Sequence, residues 1–338
     1  MANKIPIILC VDVEPDGFFI DRNNPLPWKG FEKAHAFFKE LKPRLETSTG
    51  RPVHLSWFFR MDPQVAETYG SATWPITHYS KLISDIEDSG DEIGLHVHAY
   101  HWSDEENRWI LDHGNQNWID YCIRSSCAAY REACGRNCGS FRFGDHWMNN
   151  DTIALLQDLG IQFDLTVEPG MPSRPSLHMN QRYTGSLPDY AHALRHPYQP
   201  NTEDFLRQSE KNGNPLCEIP MSTGEYGPSF SPIRGIYYQF FNPQRLKKTC
   251  YALNIRREPE IFQSIVNQRL GSGFGFYLAP VIRTGAFNNE AFVRNMRKNL
   301  DFLMSHAYTD RFIFMTAYDF GMSLKNSKVF ELDKAVIR

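Results

Sequence analysis

Three carboxylates stand close together near the start of the chain, in the segment Cys10-Val11-Asp12-Val13-Glu14-Pro15-Asp16. The apolar run over residues 5–11 predicts a buried parallel strand that ends at these acids. On such a strand Asp12 and Glu14 project from the same face. Two carboxylates this close repel each other, so a bound cation or a shared proton would stabilise them. The alternative is a polar loop after the strand, with Asp16-Gly17 forming a turn.

Three histidines fall within the segment His96-Val97-His98-Ala99-Tyr100-His101. In an extended backbone His96 and His98 share a face, so both imidazoles can reach one ion. Two histidines and a carboxylate form a common set of ligands for a divalent metal with open coordination positions. Zinc suits this set best, and nickel, cobalt and manganese are alternatives. His101 is an alternative to His98 as a ligand, or a residue that binds substrate.

These candidate residues need a scaffold that brings strand ends together. Strands alternate with helices through residue 166, which predicts βα units and a parallel sheet. Residues 168–215, rich in Pro, Gly, Asn and Tyr, are predicted to be an irregular excursion within one domain that spans residues 1–338. The predicted strands cover residues 5–11, 53–59, 92–97, 139–143, 162–165, 216–221, 274–278 and 311–317. The predicted helices cover residues 29–46, 76–88, 116–134, a segment capped by Asn150, 243–252, 258–270 and 289–305.

Taken together, these motifs resemble the polysaccharide deacetylases, the NodB-homology group of carbohydrate esterases. Asp12-Val13-Glu14 is similar to the end of the first strand in one branch of that family. Gly90-Asp91-Glu92-Ile93-Gly94 resembles the family's Gly-His-Glu-Ile-Gly motif, and the His-x-His spacing of His96 and His98 is similar to one branch. The segment Ser140-Phe141-Arg142-Phe143-Gly144-Asp145-His146-Trp147 resembles the third motif. The likeness covers residues 5–166 well and residues 216–320 loosely.

The resemblance implies an irregular (β/α) barrel of the polysaccharide-deacetylase type and a hydrolase that removes an N-acetyl or N-formyl group from a sugar. It implies that Glu14, His96 and His98 hold a divalent metal. Asp12 would be the general base, and Arg142 would pair with Asp12 and lower its pKa. Arg60, Trp102 and Trp147 would either line the sugar pocket or pack structurally, and His101 is a further candidate for substrate binding.

The chain departs from the family at a late strand, where related proteins carry a histidine that acts as the general acid. Ala279-Pro280 stands here where His-Pro is usual. General acid catalysis contributes about 10²–10⁴-fold in rate, so a replacement is expected from His101, His146 or Arg283, or the reaction needs less help with its leaving group. The alternative is a catalytically impaired protein that binds carbohydrate without hydrolysing it. A third hypothesis, a glycosidase, would combine Asp12 or Glu14 with Glu218 or Asp319.

Composition narrows the choice of partners and compartment. The formal net charge is −3 and no basic block is present, which argues against nucleic acid and anionic membranes as partners. No apolar run approaches the length of a membrane-spanning helix. The seven cysteines match no common metal pattern and fit a reducing, cytoplasmic compartment. The expected partner is therefore an N-acylated sugar, a nucleotide- or lipid-linked sugar or an oligosaccharide, and homo-oligomerisation is left open.

Overall fold

Strands and helices alternate along the chain, which confirms the predicted α/β class. The computed structural model describes residues 4–17, 20, 22, 24–173, 175–178, 181–210, 215–227, 248–271 and 277–327. The strands are β1 (Ile5–Ile7), β2 (Cys10–Val13), β3 (Ser56–Arg60), β4 (Glu92–Val97), β5 (Tyr100–Ser103), β6 (Arg108–Asp112), β7 (Ser140–Phe143), β8 (Phe163–Asp164), β9 (Pro175–His178), β10 (Gln181–Ser186), β11 (Cys217–Glu218), β12 (Thr223–Tyr226), β13 (Thr249–Ala252), β14 (Val281–Arg283) and β15 (Phe312–Phe314).

The helices pack around these strands, and none in the part of the chain that the structure describes is both long enough and apolar enough to cross a membrane. They are α1 (Lys29–Thr49), α2 (Pro63–Tyr69), α3 (Trp74–His78), α4 (Ser80–Asp88), α5 (Gln116–Cys134), α6 (Asn150–Asp158), α7 (Pro259–Gly271), α8 (Glu290–Ser305) and α9 (Ala317–Asn326). Short 3-10 turns cover Gly144–His146, Thr284–Asn288 and Thr309–Arg311.

The main sheet has seven strands in the order β11-β8-β7-β4-β3-β2-β14. Every neighbouring pair is parallel, so the carboxyl ends of these strands share one edge. Beyond the two outer strands, the Ser222 N–H donates to the Ala279 carbonyl over 3.2 Å. The Ala279 N–H in turn donates to the Ser222 hydroxyl over 2.9 Å. These bonds draw the edges together, and the sheet curls into a partial barrel.

Alternation along β2 explains how the acids reach this edge. Ile8 and Cys10 belong to the buried cluster inside the curled sheet, whereas Leu9 and Val11 pack in the layer between sheet and helices. The next residues with the inward parity are Asp12 and Glu14, because side chains alternate between faces on a strand. α9 contributes Phe320 and Leu324 to the inner cluster.

Most predicted elements are confirmed, and the errors fall in short or irregular segments. The helix predicted at 243–252 is wrong in its described part, because Thr249–Ala252 is a strand paired antiparallel with β12. Residues 243–247 and 274–276 lie outside the described residues. Asn149, not Asn150, caps α6, since its side chain accepts the Thr152 N–H over 2.8 Å. The excursion at 168–215 contains β9 and β10, and the sequence patterns missed β14 and the β5-β6 hairpin.

Candidate metal centre and catalytic pair

A cavity of about 230 Å³ opens at the carboxyl edge of the main sheet. Parallel strands deliver their terminal side chains to this edge, which is where α/β folds commonly build sites. Acidic, basic and imidazole groups dominate its wall. Its charged and histidine lining residues are Asp12, Glu14, Arg60, His96, His98, Arg142, Asp145, His146, Glu168, Arg256, Arg257 and Arg283.

Glu14, His96 and His98 converge on one point of this cavity. A carboxylate oxygen of Glu14 and one ring nitrogen of each histidine lie within 4.8 Å of one another, and all three residues are buried. The His98 Nε2 atom is 3.5 Å from Glu14 Oε2 and 3.1 Å from His96 Nε2. The structure thus brings together the three residues that the sequence predicts as metal ligands.

The Nδ1 atom of each imidazole contacts another group of the protein. His96 Nδ1 lies 2.9 Å from the Arg142 carbonyl oxygen, which can only accept, so this nitrogen carries the proton. His98 Nδ1 lies 2.9 Å from Asp145 Oδ2. Each contact directs Nε2 into the cavity, as in metal sites where an outer partner fixes the histidine tautomer. Burial, followed by the neighbouring His98, holds the pKa of His96 well below its ordinary value.

Glu14 is ionised in this setting because two partners outweigh its burial. Burial alone would raise its pKa, but the Arg283 guanidinium and then His98 lower it to about 2. Arg283 Nε forms an ion pair with Glu14 Oε1. The same guanidinium donates to the carbonyls of Pro15 (3.2 Å) and Gly17 (3.0 Å). Arg283 therefore anchors the chain that follows Glu14 and faces the candidate metal centre.

Asp12 and Arg142 form a second feature of the site, a buried ion pair. Arg142 Nε lies 3.1 and 3.2 Å from the two carboxylate oxygens of Asp12. Its Nη1 donates to the Leu165 carbonyl over 2.6 Å, and its Nη2 is 3.6 Å from Glu168 Oε1. Arg142 lowers the pKa of Asp12, as predicted, but burial outweighs this effect, so the net shift is upward. The predicted net lowering is therefore corrected.

The turn Gly144–His146 supports His98. Asp145 and His146 adopt φ values of 52° and 58°, in the left-handed region that non-glycine residues seldom occupy. Such strain often accompanies a functional constraint. Gly144 packs directly on the His98 ring, and a Cβ there would overlap it. His146 Nδ1 lies 3.1 Å from Glu168 Oε1, and the His146 side chain is 40% exposed on the cavity wall.

Arg60 also lines the cavity, and its guanidinium is held within the protein. It donates to both carboxylate oxygens of Asp62 and to Gln64 Oε1, at 2.7–2.8 Å. Its guanidinium carbon lies 5.3 Å from the centre of the Tyr100 ring. Asp62 in turn accepts the His98 N–H over 3.1 Å. These contacts make Arg60 part of the support for His98.

Three other predicted sugar-binding residues lie outside the lining of this cavity. His101 Nδ1 is 3.2 Å from Asp112 Oδ2, and its ring stacks on Trp118. Trp102 packs edge-to-face on Trp109. Trp147 stacks on His113, with ring centres 4.9 Å apart. A substrate contact at these three residues stays a prediction, and His98 rather than His101 joins the candidate ligand set.

Ala279 is fully buried in the inner cluster and does not line the cavity. Of the three replacements considered for the absent histidine, His146 and Arg283 line the cavity and His101 does not.

Four charged residues of the cavity wall were not predicted from the sequence. They are Asp145, Glu168, Arg256 and Arg257. Asp145 lies in the same sequence motif as Arg142, and this position could have indicated that Asp145 belongs to the site. The pair Arg256-Arg257 had no recognisable signal, since it lies on a turn between β13 and α7.

Solved structures resemble this protein in fold, although its sequence has no match among family models or curated proteins. A proposed polysaccharide deacetylase from Mycobacterium smegmatis superposes with a TM-score of 0.51 at 13% identity, over 97% of this chain and 92% of that one. A proposed glycoside hydrolase/deacetylase from Parabacteroides distasonis superposes with a TM-score of 0.54 at 10% identity, over 96% of this chain and 72% of that one.

These likenesses confirm the fold that the sequence resemblance predicts. The chain has the (β/α) barrel fold of the polysaccharide deacetylases. The cavity described above opens at the carboxyl edge of its sheet.

Proposed function

We propose that this protein is a metal-dependent hydrolase that removes an N-acyl group, acetyl or formyl, from a sugar or sugar precursor. The observation that carries the proposal is the convergence of Glu14, His96 and His98 beside the Asp12–Arg142 pair. A ligand set and a candidate base therefore share one cavity. The deacetylase fold of the superposed proteins supports the same reaction class.

The donor atoms fit a divalent cation. The two Nε2 atoms face each other across 3.1 Å while both Nδ1 atoms are engaged elsewhere, and the Glu14 carboxylate completes a triangle. Two imidazoles and one carboxylate suit zinc with open coordination positions. Glu14, His96 and His98 would hold the ion, which would polarise an acyl carbonyl and acidify a water molecule.

Asp12 is the proposed general base. Its carboxylate lines the cavity, and its pKa is raised by burial against the opposing effect of Arg142. A raised pKa suits a base, because proton transfer is most efficient when the pKa of the base approaches the working pH. Arg142 orients the carboxylate through the two contacts from Nε and favours its ionised form against the effect of burial.

His146 is the proposed proton donor for the departing amine. It lines the same cavity, and Glu168 stands 3.1 Å behind its Nδ1 atom. A carboxylate beside one ring nitrogen can orient an imidazole for proton transfer from the other nitrogen. Arg283 is a poor donor, since a guanidinium does not release its proton near neutral pH. His146 would therefore take over the role that a histidine at position 279 has in the related family.

The test measures acyl release and metal binding together. Zinc-loaded protein is incubated with N-acetyl and N-formyl sugars in free, nucleotide-linked and oligomeric form, and acetate or formate is quantified. Asp12→Asn should lower the rate by about 10²–10⁴-fold without changing the bound metal. Asp301→Asn, at a half-exposed carboxylate paired with Arg44, is the matched control and should keep full activity.

The outcomes separate the competing functions. Release of neither acid by metal-loaded protein would overturn the proposal. Sugar binding without release, unaffected by Asp12→Asn, would instead support the carbohydrate-binding function suggested by Ala279. The glycosidase pairings of Asp12 or Glu14 with Glu218 or Asp319 are not favoured, because Glu218 and Asp319 do not line the cavity.

A further inference from the structure

Two adjacent arginines, Arg256 and Arg257, stand on the wall of the cavity that holds the candidate metal centre. They lie on the turn between β13 and α7. Both are partly buried. The proposed hydrolysis of an amide gives neither of them a role.

These arginines differ from the others in the cavity because neither forms an ion pair with an acidic residue that the structure describes. Arg60 pairs with Asp62, Arg142 with Asp12, and Arg283 with Glu14. Within the described ranges, no carboxylate lies within ion-pair distance of the Arg256 or Arg257 guanidinium.

Aromatic rings take the place of those acids. The guanidinium carbons lie 5.2 Å from the Phe292 ring centre and 4.9 Å from the Tyr251 ring centre, respectively. The Arg257 Nε atom is buried, and no described residue offers it a hydrogen-bond acceptor. Burial, followed by the neighbouring Arg257 and Arg283, lowers the pKa of Arg256. Glu14 and Glu258 oppose this shift from beyond ion-pair distance, and positive charge still predominates at this part of the wall.

The turn that carries the pair is rigidly attached to the barrel. The buried amide of Asn299 donates to the carbonyls of Ile255 (2.9 Å) and Arg257 (2.8 Å), and Asn295 donates to the Arg256 carbonyl (3.2 Å). Asn254 bridges to Val281 at the start of β14. Fixed backbone reduces the entropy lost when long side chains engage a ligand.

We propose that Arg256 and Arg257 bind a phosphate group of the substrate, so that the preferred substrate is a phosphorylated N-acyl sugar. The inference rests on the proposed function, since it places the anion in the cavity of the acyl-transfer site. Two guanidinium groups that form no ion pair with a described carboxylate match the double charge of a phosphate monoester, and their planar forks suit its oxygens. A single carboxylate would neutralise only one of them.

The kinetic experiment compares N-acetylglucosamine 1-phosphate with N-acetylglucosamine on the zinc-loaded protein. The phosphorylated sugar should have a kcat/KM at least about tenfold higher, and Arg256→Gln or Arg257→Gln should each remove about tenfold of that advantage. The rate on the neutral sugar should change much less than the rate on the phosphorylated sugar. Arg257→Lys should lose less than Arg257→Gln. Arg294→Gln, at an exposed arginine of α8 outside the cavity, is the control and should change neither rate.

Two further sugars test whether the site prefers phosphate to other anionic groups. N-Acetylmuramic acid presents a carboxylate, and UDP-N-acetylglucosamine presents a diphosphate. A rate for the carboxylated sugar equal to that for the 1-phosphate would overturn the proposal, as would equal rates for phosphorylated and neutral sugars. A higher rate for the diphosphate than for the neutral sugar, lost in both arginine variants, would support it.

Binding of N-acetylglucosamine 1-phosphate to the slow Asp12→Asn variant, measured by titration calorimetry, separates the two proposals. Binding that weakens about tenfold on adding either arginine substitution supports the phosphate site even if no sugar is hydrolysed. Hydrolysis without any preference for phosphate leaves the proposed function intact and overturns the phosphate site. Thermal melting of each variant verifies that the turn remains folded.

Discussion

His98 Nδ1 lies 2.9 Å from Asp145 Oδ2, and this contact sets the charge of the candidate ligand. Burial and Arg60 favour the neutral imidazole, but Asp145 and Glu14 together outweigh them and raise the pKa of His98 to about 9 in the metal-free protein. A metal ligand must be deprotonated, so metal and proton compete for this residue. Metal binding at pH 7 should therefore release about one proton from His98.

The proton release should decline as the pH passes about 9, the pKa of His98. Calorimetric titration of zinc, held by a competing chelator, in buffers with different ionisation enthalpies measures the number of protons released. In Asp145→Asn the release at pH 7 should fall, because the main partner of the imidazolium is lost. A constant release between pH 6.5 and pH 10 would contradict this account of His98.

The stability of the metal-free protein should follow the same titration. The folded pKa of His98, about 9, lies above its ordinary value of 6.5. The favourable contribution is therefore complete below pH 6.5 and is lost as the pH rises through 9, a difference of up to about 3 kcal/mol. Urea unfolding at pH 6.5 and pH 9.5 measures it. Burial raises the pKa of every cysteine in the folded protein, so thiols that ionise only in the unfolded chain also change the stability near pH 9. The comparison is therefore made with Asp145→Asn, in which the decline should be smaller.

Gly144 should be required for metal binding because any side chain there meets the His98 ring. Gly144→Ala should displace the imidazole and weaken zinc binding by about tenfold or more, with an overpacking cost of about 1–3 kcal/mol in the free energy of unfolding. Competition with a chromogenic chelator and chemical denaturation measure the two effects. Gly271→Ala is the control, since a Cβ at Gly271 meets no atom within 4 Å. Unchanged zinc affinity in Gly144→Ala would refute the role of this contact.

The candidate ligands were predictable because strand alternation is a short-range rule. Asp12 and Glu14 continue the inward series of Ile8 and Cys10, and His96 and His98 occupy equivalent positions at the end of β4. The face on which a side chain lies depends only on its position along an extended strand, and runs of apolar residues predict such strands well.

The surroundings of those ligands depend on contacts distant in sequence. Arg283 reaches Glu14 from β14, a three-residue strand too short to give a periodic signal. Asp145 reaches His98 through two residues with positive φ, a conformation that their side chains do not dictate. The downward effect of Arg142 on Asp12 was predictable from charge, but the larger effect of burial required the folded structure.

Arg142 should control the pH at which Asp12 acts. Arg142 lowers the pKa of Asp12 against the larger effect of burial, so its removal should raise that pKa further. In Arg142→Gln the acidic limb of the kcat/KM profile should therefore move to higher pH by about one unit or more. Arg142→Lys retains the charge and should show a smaller displacement. A purely structural role would lower the rate without moving the limb, and that result would exclude electrostatic control of Asp12.

His146 should matter in proportion to the difficulty of the leaving group. An amine departs only when it is protonated, whereas 4-nitrophenolate leaves without a proton. His146→Gln should therefore lower the rate on an N-acetyl sugar by about 10²-fold or more, with little effect on 4-nitrophenyl acetate. Because Gln keeps polar contact with Glu168, bound zinc and thermal stability should be retained. His306→Gln, at a histidine that follows α8 and lies outside the cavity lining, is the matched control. Equal losses on the amide and the activated ester would show that His146 positions the substrate and does not donate the proton.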